Sequence, residues 1–174
     1  MMADMILICG ISGSGKTTIS KRMEEKHNLI RIGIDDFYAK VNGDERDRRN
    51  KFEVWIEFFK AIHEAEINNR SCVVEISGLT RHQRMELKEW FPNFVHHMVF
   101  LEADRDLRMA NNLSRQRQVP EWRMRAMEES VQNPNIEDED VMFDTIAIIK
   151  NTNNRFEEPR MIKGEWPFED RDYN

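Results

Sequence analysis

Met5-Ile6-Leu7-Ile8-Cys9 is a short apolar run, and Gly10-Ile11-Ser12-Gly13-Ser14-Gly15-Lys16-Thr17-Thr18 follows it directly. No other stretch constrains the fold as much. Gly10, Gly15, Lys16 and Thr17 fill every fixed position of the pattern Gly-x-x-x-x-Gly-Lys-Ser/Thr. Glycines at this spacing let successive backbone N–H groups turn inward around phosphate oxygens, and a following helix aims its positive end at the same point. The mechanism requires a buried strand before the loop and a helix after it. The apolar run supplies the strand, and residues 16–26 read as the helix. A chance match in a chain of this size is on the order of one in a hundred. Residues 10–18 are therefore expected to cradle a nucleoside triphosphate, with Lys16 reaching its β- and γ-phosphates and Thr17 holding a magnesium ion.

The rest of the chain alternates in the same way. Residues 29–34 read as a second strand ending at Asp35-Asp36, and 40–50 as a polar surface loop. Apolar residues at three- and four-residue intervals predict a helix over 52–69, with Val54, Trp55, Phe58, Phe59 and Ile62 on its core face. Residues 72–76 form a third strand, 81–91 a helix closed by Pro92, 98–101 a fourth strand, 105–113 and 120–131 helices, and 145–149 a fifth strand. Strands alternating with helices require crossover connections. The expectation is an α/β P-loop fold: a five-stranded parallel sheet flanked by helices, with a small arginine-bearing lid at about 111–120. Ligands of such a sheet lie beyond the carboxyl ends of its strands, where Gly10, Asp35, Ser77 and Asn151 fall. The tail, about 153–174, either packs through Trp166 and Phe168 or stays disordered.

A chain of 174 residues is expected to form one domain over 1–174. No apolar run approaches the length of a membrane span, and the phosphate loop leaves no room for a secretory signal, so a soluble, cytoplasmic protein is expected. Cys9 and Cys72 lie in apolar settings without metal-ligand spacing and read as reduced core residues. A net charge of −6 argues against non-specific coating of nucleic acid. The basic residues nonetheless cluster, at Arg46-Arg48-Arg49-Lys51, at Arg81 and Arg84, and from Arg105 to Arg125, while acids gather between Glu137 and Asp144.

The loop alone does not distinguish the classes of phosphate-loop protein. The Asn-Lys-x-Asp motif of guanine-nucleotide switches and the Leu-Ser-Gly-Gly-Gln signature of transporters are both absent. Val99-Phe100-Leu101-Glu102 only partly resembles the acid-ended strand of a motor ATPase. Asp35-Asp36 and the run Asn112-Leu113-Ser114-Arg115-Gln116-Arg117-Gln118-Val119-Pro120 favour a small kinase. Phosphoryl transfer needs an aligned acceptor oxygen and fixed cations around the transferring group. A carboxylate at a strand end and arginines on a closing lid meet both needs. Asp36 reads as the N-cap of a short helix starting at Phe37, leaving Asp35 for chemistry. Trp55, Phe58 and Phe59 read as core, and Trp122 as packing under the lid. The five histidines have neither metal spacing nor a partnered nucleophile.

From the loop to about Ile149 the chain resembles the kinase module of 5′-hydroxyl polynucleotide kinases and their small P-loop kinase relatives. The resemblance rests on residues 10–18, Asp35-Asp36-Phe37, the Ile76-Ser77 strand end followed by a helix bearing Arg84, and the arginine lid leading into Val119-Pro120 and 124–130. It implies that Asp35 is the general base and that Arg115, or Arg117 beside it, is the lid arginine. It also implies ATP and Mg2+ as cofactors. Two positions depart from the family pattern. Tyr38 stands where the family commonly has an arginine that grips the substrate's phosphate, and Gly78 stands where it has a strand-end acid. Arg81 and Arg84 are candidates to replace that grip. The leading acceptor is the 5′-hydroxyl of DNA or RNA. The hydroxymethyl group of 5-hydroxymethyluracil in DNA, a reaction of phage relatives, and a free nucleoside or nucleotide stay open, as does a non-kinase ATPase or regulatory module. Oligomeric state is open.

Overall fold

A computed structural model describes residues 1–135, 137 and 143–174; most of the acidic run from Glu137 to Asp144 lies outside the described residues. The first strand, β1 (Asp4–Cys9), explains the layering. Five of its six residues are buried, and they alternate between two cores. Met5, Leu7 and Cys9 face one, and Ile6 and Ile8 face the other. A strand buried on both faces must be covered by helices on both sides.

Helix α1 (Lys16–His27) covers the second core through Ile19 and Met23. Strand β2 (Ile30–Gly33) and helix α2 (Ile34–Asn42) follow, then α3 (Lys51–Ile67), which lays Phe58, Ile62 and Ala65 on the first core. Strand β3 (Cys72–Glu75), helix α4 (Arg81–Trp90), strand β4 (Val95–Ala103), helices α5 (Arg105–Leu113) and α6 (Glu121–Ser130) and strand β5 (Thr145–Thr152) complete the expected series. Their order in the sheet is β2-β3-β1-β4-β5, all parallel, with Met5 opposite Cys72 and His96 across β1.

The expected count of five strands is too low. The described residues form a seven-stranded sheet, because β6 (Arg155–Phe156) and β7 (Arg160–Lys163) pair antiparallel with β5. Asn153 and Asn154 both adopt positive φ (51° and 63°), the left-handed pair that closes a two-residue hairpin, so the polar tail turns back on the sheet. Trp166 and the fully buried Tyr173 then enter the second core, with Phe168 packed against it. Of the two expectations for the tail, packing is the one found.

Three boundaries also move. The second strand ends at Gly33, and α2 starts at Ile34, so Asp35 and Asp36 both lie in its first turn, where the helix dipole favours acids. The loop read over 40–50 shrinks to 43–50, with Gly43 closing α2 at φ 80°. Strand β4 begins at Val95, three residues early, because both its histidines are satisfied there. His96 Nε2 hydrogen-bonds the Phe91 carbonyl, and His97 sits between Asp4 and Thr145, each contact at 2.8 Å. Both cysteines are buried and in no disulfide, as expected of reduced core residues. Among the described residues no helix is long and apolar enough to cross a membrane.

Candidate active site

The carboxyl ends of β1, β2, β3 and β5 deliver the phosphate loop, α2, residues 75–78 and Asn151 to one open cleft of about 1510 Å3. A typical single-ligand pocket occupies roughly 300–1,000 Å3, so the cleft has room for two substrates side by side. The loop needs its glycines sterically. At Gly13 (φ 85°) a Cβ would lie 2.5 Å from the Arg108 carbonyl oxygen. Asn111 donates to the Gly13 carbonyl at 2.9 Å and Asn151 to the Ser14 carbonyl at 3.0 Å, fastening the loop from α5 and β5. Lys16 Nζ is folded onto the loop, donating to the Gly10 and Ile11 carbonyls at 2.8 and 3.3 Å. Burial pulls its ammonium below the ordinary lysine value, against the attraction of Glu75 and Asp35.

Glu75 is the residue that reading the sequence missed on this side. It is the last residue of β3 and is buried. Its Oε1 accepts the Thr17 hydroxyl at 2.5 Å, and its Oε2 accepts Ser20 at 2.9 Å and Arg31 at 2.7 Å. Arg31 in turn holds Asp36 at 2.5 Å. Asp36 is therefore an ion-pair partner, and the N-cap expected of it is Gly33. The position of the family's strand-end acid carries no side chain for a geometric reason: Gly78 has φ 53°, and a Cβ there would meet Cys9 Sγ at 2.4 Å. The acid beside the phosphate-loop threonine comes from three residues earlier. Glu102, the other strand-end acid, does not line the cleft.

Asp35 lies across the cleft from the loop. Its Oδ1 accepts Arg48 at 2.7 Å, and the Arg48 guanidinium stacks 4.1 Å from the centre of the Tyr38 ring. Burial raises the Asp35 carboxyl, but the Arg48 hydrogen bond and charge, with the charges of Arg117 and Arg115, outweigh it and hold the carboxyl below its ordinary value. Arg115 also reaches the loop, donating to Ser12 Oγ at 3.3 Å. Burial and then the nearby Arg48 charge lower Arg117, despite the attraction of Asp35. The segment carrying both arginines is pinned at its base, where Asn112 and Val119 exchange two hydrogen bonds of 2.7 and 2.8 Å.

Asp35, Lys16, Thr17, Arg115, Arg117 and Tyr38 thus share one cleft, while Arg81 and Arg84 do not line it. Arg84 is fully buried, donates to the Gly78 and Leu79 carbonyls and lies 5.9 Å from the Phe100 ring centre, so it braces the turn after β3 instead of meeting a ligand. Arg81 opens α4 outside the cleft, its backbone N–H held by Gln132. The arginine that stands beside Asp35 is Arg48. Trp122 is 71% exposed, against the expectation that it packs under the segment 111–120. Phe58 is core, but Trp55 and Phe59 are only partly buried and line the cleft with Trp90. Among the described residues no group of three or more His, Cys, Asp or Glu side chains is placed to hold a metal ion.

Residues 5–134 match the family model described as AAA domain. Among curated proteins none matches the chain. Several solved structures share its fold. One is a sugar kinase from Janibacter sp., 15% identical, covering 85% of each chain, with a TM-score of 0.63. A second is a gluconokinase from Sinorhizobium meliloti, 21% identical over 86% of this chain and 83% of that one, TM-score 0.59. A third is a chain of the Pnkp1/Rnl/Hen1 RNA repair complex, 13% identical over 75% of this chain and 43% of that one, TM-score 0.64.

Proposed function

Because the chain belongs to the AAA domain family and folds like known P-loop kinases, we propose that it is an ATP-dependent kinase acting on a hydroxyl of a nucleic acid, foremost the 5′-hydroxyl of DNA or RNA. One observation carries the reading: of the carboxylates lining the cleft, Asp35 faces Arg48, Arg115 and Arg117 in the same space as the phosphate loop. A simple nucleotide switch that only binds has no need of such a carboxylate.

The residues fit the expected ligands. Gly13 and Gly15 line the cleft at φ 85° and 101°, a left-handed backbone that lets the loop's N–H groups turn inward around phosphate oxygens. Thr17 with Glu75 behind it suits magnesium, which takes one or two carboxylates and completes its shell with water and phosphate oxygens. Bound there, the ion would offset charge on the β- and γ-phosphates.

In the proposed transfer Asp35 orients the acceptor hydroxyl and takes its proton. Oδ1 is engaged by Arg48, which leaves Oδ2 for the alcohol. The acceptor oxygen forms a bond to the γ-phosphorus as the bond to the β,γ-bridging oxygen breaks, and ADP leaves. Lys16, released from its loop carbonyls, and Arg115 or Arg117 meet the spreading negative charge. Residues 111–120 act as a lid within one kinase domain.

The test is transfer of labelled γ-phosphate to 5′-hydroxyl oligonucleotides, 5-hydroxymethyluracil DNA and free nucleosides in parallel. Labelled oligonucleotide is the expected product. ATP turnover indifferent to every acceptor would reject the kinase reading.

A further inference from the structure

Beyond Asp35 the cleft continues into a part that the phosphate loop, the base and the lid do not use. Its wall is aromatic. Trp55 and Phe59 of α3 lie 5.4 Å apart between ring centres, and Phe59 meets Trp90 of α4 edge-on at 4.9 Å. Trp90 is 52% exposed, a large ring standing in the opening. The α4 residues on this wall run from Gln83 to Trp90, about 10 Å of helix at 1.5 Å per residue. That length spans about three base steps at 3.4 Å.

The charge here has the sign a polyanion requires. Arg48 and Arg123 line the same cleft beside Arg115 and Arg117. Asp35 balances only part of this charge, and Arg48 Nε is buried with no hydrogen-bond partner among the described residues. Glu45 and Glu86 also line the cleft, Glu86 with His82 3.3 Å away, and the arginines and lysines there outnumber the acids. Aromatic rings beside a positively charged track are how proteins hold single strands without reading their sequence. A chain with a net charge of −6 that concentrates arginines here is built to attract phosphate locally.

We infer that the outer cleft is a single-strand subsite, in which bases 3′ of the reacting nucleotide stack on Trp55, Phe59 and Trp90 while Arg48 and Arg123 meet the intervening phosphates. This inference rests on the proposed transfer to a nucleic-acid hydroxyl and adds how the strand is held.

The experiment compares KM for a 5′-hydroxyl hexanucleotide with KM for a nucleoside 3′-phosphate in the full-length protein, Trp90→Ala and Trp90→Phe. The wild type should prefer the hexanucleotide. Trp90→Ala should raise the hexanucleotide KM about tenfold, the loss expected for one stacked base, and leave KM for ATP unchanged. Trp90→Phe should restore most of the preference, which separates stacking from a folding defect. Arg48→Ala should lessen the steepness with which salt raises the hexanucleotide KM, by somewhat under one unit on a log–log plot. If the wild type phosphorylates the hexanucleotide and Trp90→Ala does so with unchanged KM, the subsite is wrong while the kinase reading stands. If the wild type phosphorylates no polynucleotide, the nucleic-acid acceptor and the subsite fall together, and transfer to a free nucleoside alone would keep the kinase reading without them.

Discussion

Replacing Glu75 by glutamine tests whether the acid behind Thr17 anchors the site electrostatically. The amide keeps the size of the side chain and one acceptor oxygen but removes the charge opposite Arg31. That pair is well shielded, with side-chain exposures of 9% for Arg31 and 8% for Glu75. Stripping one partner from a buried pair costs about 3–5 kcal/mol, because the remaining charge is left in a poor solvent. Arg31 retains Asp36 at 2.5 Å, but Asp36 is 58% exposed and compensates weakly, so the expected loss is about 3 kcal/mol. For a chain of this size each kcal/mol moves Tm by about 2–4 °C, which predicts a fall of about 6–12 °C. Thermal unfolding without nucleotide, followed by far-ultraviolet circular dichroism, measures it directly. Asp36→Asn is the control and should fall by no more than about 4 °C. Equal shifts for the two variants would refute the assignment of Glu75 as the buried anchor.

Tyr173→Ala should cost about 3–5 kcal/mol in denaturant unfolding, since the ring is fully buried with Trp166 and His27 against its edge; an unchanged midpoint would show that the tail is not part of the core. Burial lowers His96 from 6.5 to about 4, so its contribution is complete above pH 6.5 and fades as pH falls toward 4, by about 3 kcal/mol in all. His96→Gln should flatten the stability profile across that window, and an unaltered slope would argue against a histidine held neutral. Asp35 is depressed, so its pairing with Arg48 stabilises fully above the ordinary value of 3.8 and is lost only as pH falls below it. A pH–rate profile for transfer should accordingly show no loss assignable to Asp35 between pH 5 and 8; an acid limb in that range whose midpoint moves in Asp35→Glu would contradict the depressed value.

How much of this was legible in the sequence depends on how local each contact is. The phosphate loop is a run of adjacent residues that needs only its own backbone to form, so its pattern carried the loop and the flanking strand and helix. Glu75 was hidden because it sits in an apolar run and meets Thr17 across 58 residues, a contact made only when β1 and β3 become neighbours. Arg48 lay in a basic run that looked solvated, and only the turn between α2 and α3 swings it onto Tyr38 and Asp35. Helical periodicity placed Trp55 and Phe59 on the inward face of α3, but inward has two meanings beside a cleft: of the three aromatics only Phe58 is fully buried, while Trp55 and Phe59 pack against the core and line the cleft. The tail strands are two and four residues long and polar, too short for alternation to register.

The central claim is that Asp35 serves the acceptor and not the nucleotide. Asp35→Asn separates the two roles when γ-phosphate transfer to a 5′-hydroxyl oligonucleotide and equilibrium binding of ATP are measured on the same preparation. The account predicts a loss of transfer of about 10² or more with ATP affinity unchanged. Transfer at near wild-type rate with ATP still bound would contradict it.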